Sequence, residues 1–102
     1  MMMEDRTARF LKRRDRITIY LNILEAIQQL SSTSPTKRAK ITHVLYKSNL
    51  NTKRLKERLQ ELSYLDLITW DNTGLKLTEK GKTFLQEYQN LINKINQYIK
   101  TR

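Results

Sequence analysis

A chain of 102 residues with a formal net charge of +10, two glycines and one proline has room for one domain, favours helices, and argues against a β-sandwich and against disorder. With no cysteine and His43 as the single histidine, a disulfide scaffold, a thiol nucleophile, a cysteine-bound metal and a histidine metal cluster are all removed, so no metal or cofactor is expected. No apolar run approaches the ~20 residues of a membrane span, and Met1-Met2-Met3-Glu4-Asp5-Arg6 leads into charges rather than an apolar leader, so a soluble intracellular protein without a membrane partner is expected.

The first 16 residues carry six basic and three acidic groups and read as a basic arm, with Phe10 and Leu11 its large apolar residues after the opening methionines. Over residues 17–30, Ile17, Tyr20, Leu21, Leu24, Ile27 and Leu30 fall on one helical face, widened by Ile23, and Asp15 can cap the helix. Ser31-Ser32-Thr33-Ser34-Pro35 reads as a break. Ser34 is the expected cap of a second helix, with Pro35 at its first position and Ile41, Val44 and Leu45 inward, running to about Lys47. Ser48-Asn49-Leu50-Asn51 is a short turn. Asn51 caps a third helix over 52–64, and Leu50 can staple onto Leu55. The buried row of that helix is Leu55, Leu59 and Leu62, which sends Lys53, Lys56, Glu57 and Gln60 to the other side.

Leu67-Ile68-Thr69-Trp70 and Leu75-Lys76-Leu77-Thr78 flank Asp71-Asn72-Thr73-Gly74 and predict a β-hairpin. Trp70 reads as a packing residue of the hairpin, Asp66 and Asp71 as turn residues, and His43 as a surface or helix-packing residue. Thr78 caps a last helix from Glu79 to near residue 100, with rows Phe84, Tyr88, Leu91, Ile95, Tyr98 and Leu85, Ile92, Ile99. Phe84, Leu85 and Tyr88 can finish the core. Tyr88, Leu91, Ile92, Ile95, Tyr98 and Ile99 are expected to pair with the same helix of a second chain, the rival being a helix folded back over the first.

The expected class is mainly α (α+β): a basic arm at 1–16, a helix-turn-helix followed by a hairpin at 17–78, and a long dimerisation helix at 79–102. That order is the winged-helix arrangement, which suits duplex DNA. Residues 37–58 hold eight basic groups and one acid, a concentration that suggests a polyanionic partner. Lys53 and Lys56 can bond guanine or phosphate, and Gln60 can pair with adenine. Asn51 and Thr52 sit at a helix start that favours phosphate, with Arg54 beside them. Arg38 and Lys40 are expected to hold the backbone irrespective of sequence. Glu57 is either an intrahelical partner of Arg54 or Lys53, or an acceptor from cytosine. The hairpin looks weak as an electrostatic tool, with Lys76 as its only cation. No carboxylate pair in an apolar setting, glycine-rich phosphate loop or Ser/His/Asp set is present, so an enzyme is not expected.

Thr42-His43-Val44-Leu45-Tyr46-Lys47-Ser48-Asn49-Leu50-Asn51, Leu59-Gln60-Glu61-Leu62, Leu67-Ile68 and Leu77-Thr78-Glu79-Lys80-Gly81-Lys82-Thr83-Phe84-Leu85 together resemble an archaeal winged helix-turn-helix family that includes the ten-a-type Sulfolobus DNA-binding proteins. The resemblance covers about residues 17–100. It implies a winged helix, a C-terminal helix in an antiparallel coiled-coil homodimer, and DNA binding in transcription or chromatin, hence a nucleoid-associated place in the cell. The family usually has glycine near Asp66 and an aromatic near Arg58, and this basic arm is longer than the family leads one to expect. A transcription regulator is the expected function. A sequence-tolerant chromatin protein and a module binding protein or structured RNA are the alternatives.

Overall fold

The computed structural model describes residues 15–100. Most of the basic arm and the last two residues lie outside them. Asp15 opens α1 (Arg16–Thr33), its carboxylate accepting the backbone N–H of Thr18 at 2.8 Å. The helix does not stop at the serine cluster. The hydroxyls of Ser31, Ser32 and Thr33 donate to the carbonyls of Gln28 and Gln29 at 2.9–3.2 Å, satisfying acceptors that a helix end would leave open. The chain turns extended at Ser34.

The second helix departs from the sequence expectation. It starts at Ile41, not at Pro35: α2 is Ile41–Ser48, preceded by Lys40 with no side-chain cap. The reason is a long-range pairing. Ala39 donates to and accepts from Leu75, both at 2.8 Å, so this stretch is held extended against the hairpin. Lys37 absorbs the preceding turn at φ 60°.

Asn49 turns left-handed (φ 56°) and Asn51 caps α3 (Thr52–Tyr64), accepting from the N–H of Arg54 at 2.7 Å. Leu55, Leu59 and Leu62 are buried as expected, and Leu50 is half-buried against the core. Asp66, at φ 61°, makes the turn that a glycine often makes. Strands β1 (Ile68–Asp71) and β2 (Gly74–Leu77) pair antiparallel, with Ile68 opposite Leu77 and Trp70 opposite Leu75. Asp71 steadies the two-residue loop by accepting from both the N–H and the hydroxyl of Thr73. Gly74 has φ 128°, and a Cβ there would lie 2.8 Å from the Ala39 carbonyl oxygen, so glycine lets the hairpin close on Ala39.

Thr78 joins the hairpin to α4 (Glu79–Lys100). Its hydroxyl accepts from the N–H of Gly81 at 3.0 Å and donates to the Asp66 carbonyl at 2.6 Å. The core forms around α1, whose Ile23, Leu24 and Ile27 are fully buried with Val44, the α3 leucines, Leu75 and Leu85. Of the residues expected to finish it, Leu85 is buried, Tyr88 half-buried and Phe84 exposed. Beyond Tyr88, α4 leaves the core and does not fold back over α1.

Candidate nucleic-acid interface

Every residue named on the solvent side of α3 is exposed: Asn51, Thr52, Lys53, Arg54, Lys56, Glu57 and Gln60. Asn51 spends its carbonyl oxygen on Arg54, so its amide group and the first N–H groups of α3 are what it presents to an anion. Lys53, Glu57 and Gln60 follow one helical stripe, at spacings of four and three. That stripe continues to Tyr64, which is 90% exposed and which sequence reasoning passed over. The same periodicity that selected Gln60 reaches it one step later. Glu57 pairs with neither Arg54 nor Lys53. Its carboxylate lies 3.9 Å from an Arg58 amino group, a long contact of small energetic weight.

The hairpin is more basic than its own residues suggest. Ala39 stands opposite Leu75 in an antiparallel bridge, which sets Arg38 across from Lys76, itself opposite Thr69. Ala39, Leu75 and Leu77 point inward, so strand alternation turns Arg38 and Lys76 to the solvent side. Two like charges facing each other across strands are unfavourable unless an anion sits between them. Asp71 shares this surface. Its carboxyl is held below the ordinary carboxylate range by the Thr73 hydroxyl and N–H, and further by Arg38. Lys40 is exposed one residue before α2. Thus α3, the residues ahead of α2 and the hairpin carry the candidate cations, Lys56 lying at the flank of α3.

On the α1 side of α3, the Tyr20 hydroxyl donates to Glu61 Oε1 at 2.7 Å, and Arg58 Nη1 donates to the same oxygen at 2.9 Å. Desolvation pushes the Tyr20 phenol above its ordinary pKa of 10.0, and the bond to Glu61 adds to this, against opposing effects of Arg16 and Arg58. The folded state therefore holds this proton past the pH at which an unfolded tyrosine releases it. That stabilisation is complete below about pH 10 and fades as pH climbs through the folded value. The difference in melting temperature between the parent and Tyr20→Phe is expected to narrow above about pH 10. Parallel melting curves with a constant gap would contradict it.

Among the described residues no group of His, Asp and Glu is gathered to hold a metal ion, and no helix is long and apolar enough to cross a membrane. Helix-turn-helix, antiparallel hairpin and basic outward face define a winged-helix DNA-binding domain. The winged helix-turn-helix family matches residues 13–96, and the chain belongs to it; it is a DNA-binding protein. The match extends well into α4. No curated protein matches the chain.

Proposed function

We propose that this protein is a transcription regulator that binds duplex DNA as a homodimer, with α3 in the major groove. The observation that carries this reading is the exposed stripe of Lys53, Glu57 and Gln60 on a helix flanked by the outward cations Arg38, Lys40 and Lys76. In it, Lys53, Lys56 and Gln60 meet base edges, with Glu57 placed to accept from cytosine. The α3 N-terminus, with Asn51, Thr52 and Arg54, meets one phosphate, and Arg38, Lys40 and Lys76 hold the backbone.

Dimerisation rests on α4. Leu91, Ile95, Tyr98 and Ile99 are 56, 45, 73 and 64% exposed, and Ile92 and Tyr88 continue the stripe half-buried. Such a stripe in water is an association surface. Antiparallel pairing centred on it lays the Glu87 end of one helix against the Lys100 end of the other, which favours that direction over parallel pairing. The resemblance to the archaeal family supports the same arrangement, and with it a cytoplasmic, nucleoid-associated protein.

The test is binding to specific and random duplexes across salt. Each neutralised phosphate contributes a slope of about −0.9 in log K against log salt, so a dimer using four such contacts per protomer should show about −6 or steeper. A slope near zero overturns the DNA reading. Lys53→Ala, Lys56→Ala or Gln60→Ala should each cost about 1–3 kcal/mol on the preferred sequence and relax preference there. Arg38→Ala, Lys40→Ala and Lys76→Ala should weaken all duplexes alike and flatten the salt slope by about one each. If the two groups behave identically, α3 reads no bases and the protein is a sequence-tolerant chromatin component. Failure to bind duplex DNA at low salt would point instead to a module for protein or structured RNA.

A further inference from the structure

The buried edge of α3 is a row of three leucines, Leu55, Leu59 and Leu62. Leucine packing is strong but poorly directional, and a uniform leucine seam leaves the rotation of a helix about its own axis weakly specified. Beside that row, at the boundary with α1, lies a polar cluster. One oxygen of Glu61 accepts both from Tyr20 on α1, 41 residues away in sequence, and from Arg58. Arg58 is 15% exposed, and its Nε is buried with no hydrogen-bond partner. An apolar side chain would fill that edge without stranding a buried donor. The cluster is thus costly in stability, and what it adds is direction.

We propose that Arg58, acting through Glu61 on Tyr20, is a positioning residue that fixes the roll of α3 against α1 and so decides which outward side chains reach base edges. The proposal rests on the reading of α3 as the base-reading helix. Geometry makes the roll matter. A rotation of about 20° carries a side-chain tip, about 6 Å from the helix axis, through about 2 Å. Hydrogen bonds to base edges do not tolerate that displacement. Contacts to phosphate by Arg38, Lys40 and Lys76 do not depend on it, because these residues stand on other elements. Arg58 also lies next to Glu57 on the outward stripe, so the same guanidinium that holds the roll steadies the one acid on that stripe. Sequence preference and general affinity for duplex DNA are therefore separable in this molecule.

The experiment uses the full chain with Tyr20→Phe, which removes one hydroxyl and leaves no cavity, and Arg58→Met, which keeps the length of the stem. Affinities are measured at one salt concentration for a duplex selected by the parent from a random pool and for a scrambled duplex. Melting curves confirm that each variant is folded. The ratio of the two affinities should fall by about fivefold or more, the lower end of what one base contact contributes, while scrambled-duplex affinity and salt slope stay at parent values. Folded variants that keep the parent ratio overturn the proposal.

A second measurement separates this from failure of the base-reading assignment. The chain has no cysteine, so spin labels at Gln28→Cys on α1 and Gln60→Cys on α3 report one distance. In Tyr20→Phe and Arg58→Met that distance should shift or broaden by about 2 Å, the displacement expected for the roll. If the parent selects no sequence, the base-reading assignment fails, and the label distance alone then decides on the clamp. An unchanged distance distribution overturns it.

Discussion

Gly81→Ala is expected to destabilise the domain by about 3 kcal/mol or more, although alanine is the better helix former by about 1 kcal/mol. A Cβ at this position would lie 2.0 Å from the Leu67 carbonyl oxygen and 3.0 Å from its carbon, both backbone atoms. No side-chain rotation relieves that overlap. Either α4 moves outward or the α3–β1 turn does, and both are tied down. Leu67 accepts the N–H of Thr78 at 3.1 Å and donates to the Leu62 carbonyl at 3.0 Å, while the Thr78 hydroxyl bonds both Gly81 and Asp66. Lifting α4 would also draw Leu85 from the core. For a domain of this size, about 3 kcal/mol corresponds to a fall in melting temperature of roughly 12–24 °C. A variant that melts within a few degrees of the parent would show that α4 does not need this approach to Leu67.

Leu91→Lys combined with Ile95→Lys is expected to convert a dimer into a monomer of half the mass, read by light scattering. Both residues are largely exposed in the single chain, so the fold itself should melt as before. Burying three such residues per protomer contributes roughly 9–18 kcal/mol gross across a two-fold interface. Association costs of several kcal/mol are subtracted, leaving enough for a dimer at micromolar concentration. Four charges in the seam remove this. Losing one of two linked DNA contacts should weaken binding by about 100-fold or more. A parent chain that is already monomeric at about 10 µM refutes the dimer.

The features legible from sequence were those settled within one helical turn. Asp15, Asn51 and Thr78 each cap the N–H three residues on, a relation visible as a residue type at an offset. The leucine row of α3 and the outward stripe followed from the helical period alone. What escaped depended on partners far along the chain. Ser34 and Pro35 have the chemistry of a helix start, but Ala39 is claimed by Leu75, and the helix cannot begin until that pairing ends. The same pairing adds Arg38 to the hairpin surface. Ser31 to Thr33 look like a break because hydroxyls compete with helix geometry. Here they cap its last carbonyls instead. Arg58 looked like one more surface cation on α3, and Tyr20 like one more apolar position on α1. Only their spatial meeting at Glu61 makes a network.

The Ala39–Leu75 bridge also sets a parity rule on chain length. Strand side chains alternate faces, so a slip of one residue exchanges the two sets. Deleting or inserting a single residue between Lys37 and Ala39 would force a choice between burying a guanidinium where Ala39 sits and abandoning the bridge. The tight turn at Lys37 leaves little slack for a third course. Further toward the N-terminus, around Pro35 and Thr36, both residues are exposed and added length can loop outward. Insertions should therefore be tolerated ahead of Lys37 and rejected after it, a boundary one residue wide that separates a permissive site for a tag or peptide graft from a position where the register of the whole DNA-facing sheet is at stake.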